Sequence, residues 1–427
     1  MAFSLYLLYL IASYLRPAEL WPELAELRPM LWLGWGALAV ALIAVSFGNR
    51  IPWRMPQVWL MLGLIGSIML SRIMNGWMGG ATAAFTDFGA SFLLFFLTIL
   101  NVNSWRRLSI VAGVLAALTL IVTVQSIAGF HFGFLEDRLV IRQGVGEDQA
   151  TGDYASYIYR IQHLGFLNDP NDLGQSIVFV LPILVAFWSP GQALRNIVLV
   201  LVPILVSGYG IFLTHSRGAL LGTLLVVFLT FRHRISTRWS VALITLAVVG
   251  ALAMNVSGGR SFSSKEESAA NRIDAWGEGL NMLHSAPGFG VGYGAFTDHN
   301  DLTAHNSFVL CFAEIGLIGY FFWLSLIVTT LFGLAKAANS DPEMCWPRVL
   351  LHCCVAFLLC AWFLSRTYIP TLYLLFALGT AAVALARPAE EPDRMPLRWW
   401  TARAAMLEFA TIAAVYVIVR VQNVMIR

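Results

Sequence analysis

Charge is what this sequence has least of. Lys, Arg, Asp and Glu make up 12% of its 427 residues, about half the share found in a water-soluble domain. That shortage excludes a soluble cytosolic enzyme, a disordered chain and a nucleic-acid binder with a basic face, so no nucleic acid is expected as a partner. The 27 basic residues barely exceed the 24 acidic ones. Overall charge therefore names no partner, and the positions of the charges carry the information. Cysteine is scarce as well. Cys311, Cys345, Cys353, Cys354 and Cys360 lie in or beside apolar runs and form no CxxC pair. They read as small buried hydrophobes, not as a disulfide framework or a zinc site. The N-terminus lacks the Ala-x-Ala-like end of a cleaved signal peptide, so its first apolar run is expected to stay. No internal repeat or low-complexity tract is evident.

Apolar sequence is abundant, at 58%. A transmembrane helix needs about 20 such residues. Runs of that kind lie at roughly 30–47, 56–73, 82–100, 108–129, 172–188, 195–213, 216–231, 239–255, 306–334, 347–364 and 370–387, with shorter ones at 2–15 and 404–420. The expected fold is an all-α polytopic membrane protein of about 11–13 transmembrane helices. Alternate short loops hold Arg50, Arg54, Arg106, Arg107, Arg195, Arg232, Arg234, Arg238, Lys336, Arg348, Arg387, Arg394, Arg398 and Arg403. This set should be cytoplasmic. The long polar segments 130–171 and 256–305 then fall together outside; in a bacterium that side is the periplasm or cell exterior. The resulting organisation has N-terminal membrane helices over 1–129, a first periplasmic loop over 130–171 and further helices over 172–255. A second periplasmic, catalytic loop follows over 256–305, then helices over 306–387. A cytoplasmic linker with a possible last helix occupies 388–427.

The candidate chemistry gathers on the outer face. Asp169-Pro-Asn-Asp172 heads an apolar run, where Asn171 or Asp172 can cap the helix; capping leaves Arg160 unexplained. Thr214-His215-Ser216-Arg217-Gly218 stands where one helix ends and the next begins. An interfacial Arg there either snorkels to the headgroups or binds an anion, with His215 and Ser216 as added donors. Adjacent His215 and Ser216 make no serine-protease pair, because neighbours on a helix do not face each other. In the second loop, Ser264-x-x-Glu267 reads as a capping box. It opens a short amphipathic helix marked by Ala269, Ile273, Trp276, Leu280 and Leu283. Arg272 and Trp276, four apart, share one side of it. The helix stops at Pro287-Gly288. Gly290, Gly292 and Gly294 follow as a tight turn that can approach a ligand or the bundle, with no strand before them to make a dinucleotide site. Asp298-His-Asn-Asp301 reads as a solvated loop, and no metal site is expected. His305-Asn306 opens a long apolar helix, where a histidine serves as a cap or as a proton acceptor. Glu314 lies about 13 Å deeper on the opposite helix face, with Arg366 its candidate partner.

Arg160, Arg217, Arg272 and Arg366, with His163, His284 and His305, thus converge on one membrane face. Several guanidinium forks suit a ligand with more than one phosphate. An imidazole beside them suits proton removal near neutral pH. A lipid diphosphate sugar, already activated and carrying a good leaving group, meets both demands without ATP.

These residues resemble the O-antigen ligase and O-antigen polymerase superfamily of bacterial membrane glycosyltransferases. The resemblance lies in Thr-His-Ser216-Arg217-Gly218-Ala219, Arg272-x-x-x-Trp276, Pro287-Gly-x-Gly290-x-Gly292, His305-Asn306-x9-Gly316-x-x-Gly319 and Gly165…Asp169-Pro-Asn-Asp172, covering about 160–320. It implies a helical membrane fold and transfer of a glycan from undecaprenyl diphosphate to another glycan or a lipid A-core acceptor. The transfer would proceed at the periplasmic face without metal or cofactor, and with inversion at the sugar carbon. It further implies that Arg217 and Arg272 hold the diphosphate and His305 activates or orients the acceptor hydroxyl. Arg160, His215, Ser216, Trp276, Gly290, Gly292, Asn306 and Arg366 would line the substrate site. Ligase and O-antigen or exopolysaccharide polymerase share this donor chemistry, and both stay open. A secondary transporter or flippase is the rival from another class; it calls for inverted repeats and polar groups near the midplane.

Overall fold

The computed structural model describes residues 1–24, 26–46, 55–147, 154–232, 267–341, 345–387 and 397–426. The expected span at 239–255 and Ser264 lie outside the described residues. The main helices are α1 (Ala2–Leu15), α2 (Pro29–Ser46), α3 (Pro56–Met74), α4 (Gly80–Asn101), α5 (Trp105–Phe132), α6 (Pro170–Ala186), α7 (Ala193–Thr214), α8 (Arg217–Phe231), α9 (Glu267–Ser285), α10 (Ser307–Ser340), α11 (Cys345–Ala361), α12 (Pro370–Ala386) and α13 (Leu397–Ile426). Among the described residues, six helices are long and apolar enough to cross a membrane: α3, α4, α5, α7, α10 and the Trp400–Val424 part of α13. Five shorter apolar helices accompany them. The chain is an integral membrane protein of nearly all-helical architecture.

Local sequence accounts for many of the helix ends. Proline opens α2, α3, α6 and α12, where its fixed φ is already helical and its missing N–H would have no helical partner. Ser104 caps α5 by accepting from the Arg107 amide at 3.3 Å, and left-handed Gly133 ends it. Helix α12, and α6 beyond its polar first turns, are apolar all round, and both helices are buried almost throughout, so they form the centre of the bundle. Helix α7 presents Leu194, Val198, Leu205 and Phe212 outward, and α13 presents Met406, Phe409 and Val424; these faces suit membrane lipid. Cys311, Cys353, Cys354 and Cys360 are buried as expected, but Cys345 is exposed, because it is the first residue of α11 and stands at the helix end.

The first long polar segment holds more structure than a loop. Strands β1 (Val140–Glu147) and β2 (Tyr154–Ile161) pair antiparallel, with Ile141 opposite Arg160 and Gln143 opposite Ile158. Aromatic and β-branched residues favour such a ribbon. Its register puts Gln143 and Arg160 on one face. The second long polar segment contains the amphipathic helix, α9, with Ala275, Trp276, Met282 and Leu283 buried and Asp274 and Glu278 exposed.

Candidate active site

Three helix starts meet at one end of the bundle, each capped by its own sequence. Pro170 at the first helical position leaves Asp169 as the cap of α6, accepting from the Asn171 amide at 2.7 Å. The cap was expected at Asn171 or Asp172; proline moves it back, and those two side chains turn to arginines instead. Ser216 caps α8 by accepting from the Ala219 amide at 3.3 Å. Asn306 caps α10, its Oδ1 accepting from the Phe308 and Val309 amides at 2.9 and 3.2 Å. The positive ends of these helices favour an anion.

Two arginines staple the starts together. Arg160, 6% exposed, reaches from β2 and donates from Nε to the Thr214 carbonyl at 2.8 Å. Its Nη1 donates to Gln143 at 2.9 Å and its Nη2 to Asn171 at 3.1 Å. It therefore joins the end of α7 to the first turn of α6. Arg366 forms an ion pair through Nε with buried Asp172. Its main-chain N–H donates to Ser307 Oγ at 2.8 Å, which ties α6 to the start of α10. The expected partnership of Arg366 with Glu314 is thereby corrected. The Ser307 contact holds Arg366 at the helix mouth, while Glu314 Oε1 accepts from the Phe296 amide at 3.2 Å.

His305 lies half-buried just before this junction, in the left-handed backbone region at φ 47°. Burial pushes its imidazole pKa down, and the nearby charges of Arg272 and Arg366 add to that against the opposing charge of Asp169. Neutral imidazole, the form able to take a proton, is favoured. Arg272 is half-buried on α9, and Arg217 is the half-buried first residue of α8. Trp276, one turn beyond Arg272, donates from Nε1 to the Ala304 carbonyl at 2.9 Å.

Other expected members make contacts of their own or lie exposed. The His215 ring is exposed and lies 5.8 Å from that of Phe212. His163 is buried, contacts Gln125 at 2.9 Å and has its pKa pushed down to about 4 by burial, so it is a neutral structural imidazole. His284 is exposed at the end of α9. Among the described residues no group of three or more His, Cys, Asp or Glu side chains could hold a metal ion.

The glycine turn approaches the bundle, at a break in α10. Gly316 has φ 64° and ψ −171° inside that helix. The freed Ala313 and Glu314 carbonyls accept from the Val291 and Gly292 amides, each at 3.0 Å, while the Leu317 amide donates to the Pro287 carbonyl at 2.9 Å. The end of α3 completes the seat: Asn75 donates to the Gly290 carbonyl at 2.8 Å, and the Tyr293 amide donates to Ser71 at 3.0 Å. Asp169, Asp172, Ser71 and Asn75 are site-building residues that sequence reasoning did not single out for these roles. The polar Asp169-Pro-Asn-Asp172 cluster signalled the first two; nothing local marked the α3 pair.

Arginines and an imidazole thus gather around capped helix starts at one end of the bundle, where the positive helix ends favour an anion. Residues 199–324 match the family model described as O-antigen ligase. The matched stretch contains Arg217, Arg272, the glycine turn, His305 and the α10 break, and it supports the O-antigen ligase superfamily resemblance. That family implies glycosyl transfer of ligase or polymerase type. No curated protein matches the chain.

Proposed function

We propose that the protein is a membrane glycosyltransferase of O-antigen ligase type, which moves a glycan from undecaprenyl diphosphate to an acceptor at the periplasmic face. The observation that supports this reading best is the meeting of three capped helix starts, with the Arg366 amide tied to Ser307 two residues beyond His305. Arg217 and Arg272 hold the diphosphate, and the positive ends of α8 and α10 add to the field. The acceptor hydroxyl oxygen attacks the anomeric carbon as the bond from that carbon to the diphosphate oxygen breaks. The electron pair leaves with the diphosphate, whose charge the arginines stabilise, so no proton donor is needed. The hydroxyl proton passes to neutral His305. Attack opposite the leaving group inverts the sugar carbon. Arg366, Ser216 and Asn306 frame the anion end. Arg160 acts through Thr214 and Asn171, Gly290 and Gly292 through the turn seated on α10, and His215 at the outer rim.

Arg217→Lys and Arg272→Lys keep the charge and lose the planar fork. Each is expected to reduce transfer at least about tenfold, or roughly 1.4 kcal/mol of transition-state stabilisation. Rates are to be measured with purified lipid-linked donor; wild-type rates in both variants would remove the diphosphate role. Glycans of a deletion strain separate the finer choices. Uncapped lipid A-core indicates a ligase and single-repeat capping a polymerase; lost slime with normal lipopolysaccharide indicates an exopolysaccharide enzyme.

Orientation has its own test. Exposed Asp298 lies in the second outer segment, and exposed Cys345 at the other end of α10. In spheroplasts of an Asp298→Cys strain, an impermeant thiol reagent should label the introduced site before lysis and Cys345 only afterwards. The reverse order would place the arginines in the cytoplasm and end the mechanism.

A further inference from the structure

We propose that Trp276 is a positioning residue for His305, holding the turn that carries the imidazole through its hydrogen bond to the Ala304 carbonyl. The inference rests on the reading of His305 as the group that takes the acceptor's proton. It starts from the backbone. A left-handed conformation is strained for an ordinary L-residue, and such strain persists only where the surroundings over-determine it. His305 is held in this way from both sides. After it, Asn306 caps α10, and the Ser307 carbonyl accepts from Thr367 Oγ1 at 2.7 Å. Ser307 Oγ donates to the Leu364 carbonyl at 2.6 Å and accepts from the Arg366 amide at 2.8 Å. Before it, the fully buried Ala304 accepts from the Trp276 indole at 2.9 Å. Loss of that donor would strip a buried carbonyl of a partner.

The indole is itself fixed. Its ring is 7% exposed and meets Trp362 edge-on at 6.0 Å, and Trp362 packs on Phe308 at 5.3 Å. Little ring remains for a sugar to stack on, so a glycan platform accounts poorly for this side chain. Arg272 stands one turn away on the same side of α9. One helix thus supplies both a charge that reaches His305 and the anchor of its backbone.

The same device occurs a second time. His215 also has φ 47°. The Thr214 carbonyl before it accepts from Arg160 Nε, and Ser216 after it caps α8. An indole in one place and a guanidinium in the other meet one backbone requirement: a pinned carbonyl, a left-handed histidine, then a cap. The recurrence ties the donor's role to holding that carbonyl in place.

The test is the pH dependence of kcat and kcat/KM for the full chain in lipid nanodiscs. The charged groups facing His305 are Arg272 from α9, Asp169 from the turn before α6 and Arg366 from the segment after α11. Because burial and Arg272 hold the imidazole pKa below its ordinary 6.5, the wild type should lose activity only at more acidic pH. Two variants remove the N–H: Trp276→Phe, and Trp276 exchanged for benzothienylalanine, which keeps the bicyclic ring and so the packing. Once released, His305 regains water. The acidic limb should then move up toward 6.5, with kcat down at least about fivefold and donor KM within about twofold. A lower plateau with an unmoved limb in the benzothienyl variant would reduce Trp276 to a packing residue and overturn the proposal. His305→Ala must erase the limb altogether. A limb that survives there refutes the base assignment itself, separately from the role of Trp276.

Discussion

Replacing His305 by Ala or by Asn should lower glycan transfer by about 10²–10⁴, the usual loss when a general base is removed, with insertion and folding intact. The Asn variant is the informative one. A histidine at a helix mouth can serve merely as a cap, and Asn caps well. Here, however, the cap of α10 is Asn306, whose Oδ1 already accepts from two amides. Asn at 305 also tolerates the left-handed backbone, so it preserves the turn and removes only the imidazole. Turnover by both variants on the same purified donor, with folding checked by size-exclusion profile, decides the point. Substantial activity in His305→Asn would show that the position orients substrate through a hydrogen bond; the proton would then have to go elsewhere, with His284 and Asp298 the next residues to test.

The second large effect is expected in stability. A Cβ on Gly290 would lie 2.4 Å from the Glu314 carbonyl carbon and 2.5 Å from the Ala313 oxygen, at a residue whose φ is 68°. Both obstacles are backbone, and neither can swing aside. Gly290→Ala should therefore destabilise the protein by at least about 3 kcal/mol, beyond what most single substitutions do. Gly316→Ala faces the same wall from the other side, with Gly288 and Gly290 backbone atoms at 2.5 Å. Gly288→Ala is the control: nothing lies within 4 Å of its added carbon, and a change within about 0.5 kcal/mol is expected. Thermal loss of the monodisperse peak in detergent should separate the first two variants from the third. Equal behaviour of all three would mean that the turn is not seated on the α10 break.

Much of this architecture was legible because the membrane imposes strong rules. Apolar runs announced α3 to α5, α7 and α10, since every lipid-exposed backbone group must be satisfied inside a helix. The period of Ile273, Trp276, Leu280 and Leu283 announced α9. The mouth of α10 was visible in His305-Asn306, and the glycine turn in its alternating residues. What escaped depends on contacts distant in sequence. Arg366 could have met either of two buried carboxylates, and only the pull of Ser307 on its backbone sets it beside Asp172. The β1–β2 ribbon was hidden for another reason: Gly144 and Gly146 interrupt β1, so the alternation of Tyr157, Ile158, Tyr159 and Arg160 had no evident partner strand. Helix α10 reads as one continuous run because Gly316 in a membrane helix need not signal a break. The break follows from the approach of the Pro287–Gly292 backbone.

That break also sets a height. The apolar stretch from Leu317 to Ala335 alone extends roughly 28 Å at 1.5 Å per residue, close to a hydrocarbon layer about 30 Å thick. The piece from Ser307 to Ile315 is therefore surplus to the crossing. It works as a short pedestal, freed by Gly316 to take its own direction. A lipid-linked substrate would then keep its prenyl tail in the oily layer while its charged head is met in the wetter headgroup zone, and no phosphate need be dragged inward. Changes in bilayer thickness would be absorbed by tilt of the long lower segment, leaving the pedestal and its imidazole at nearly constant depth.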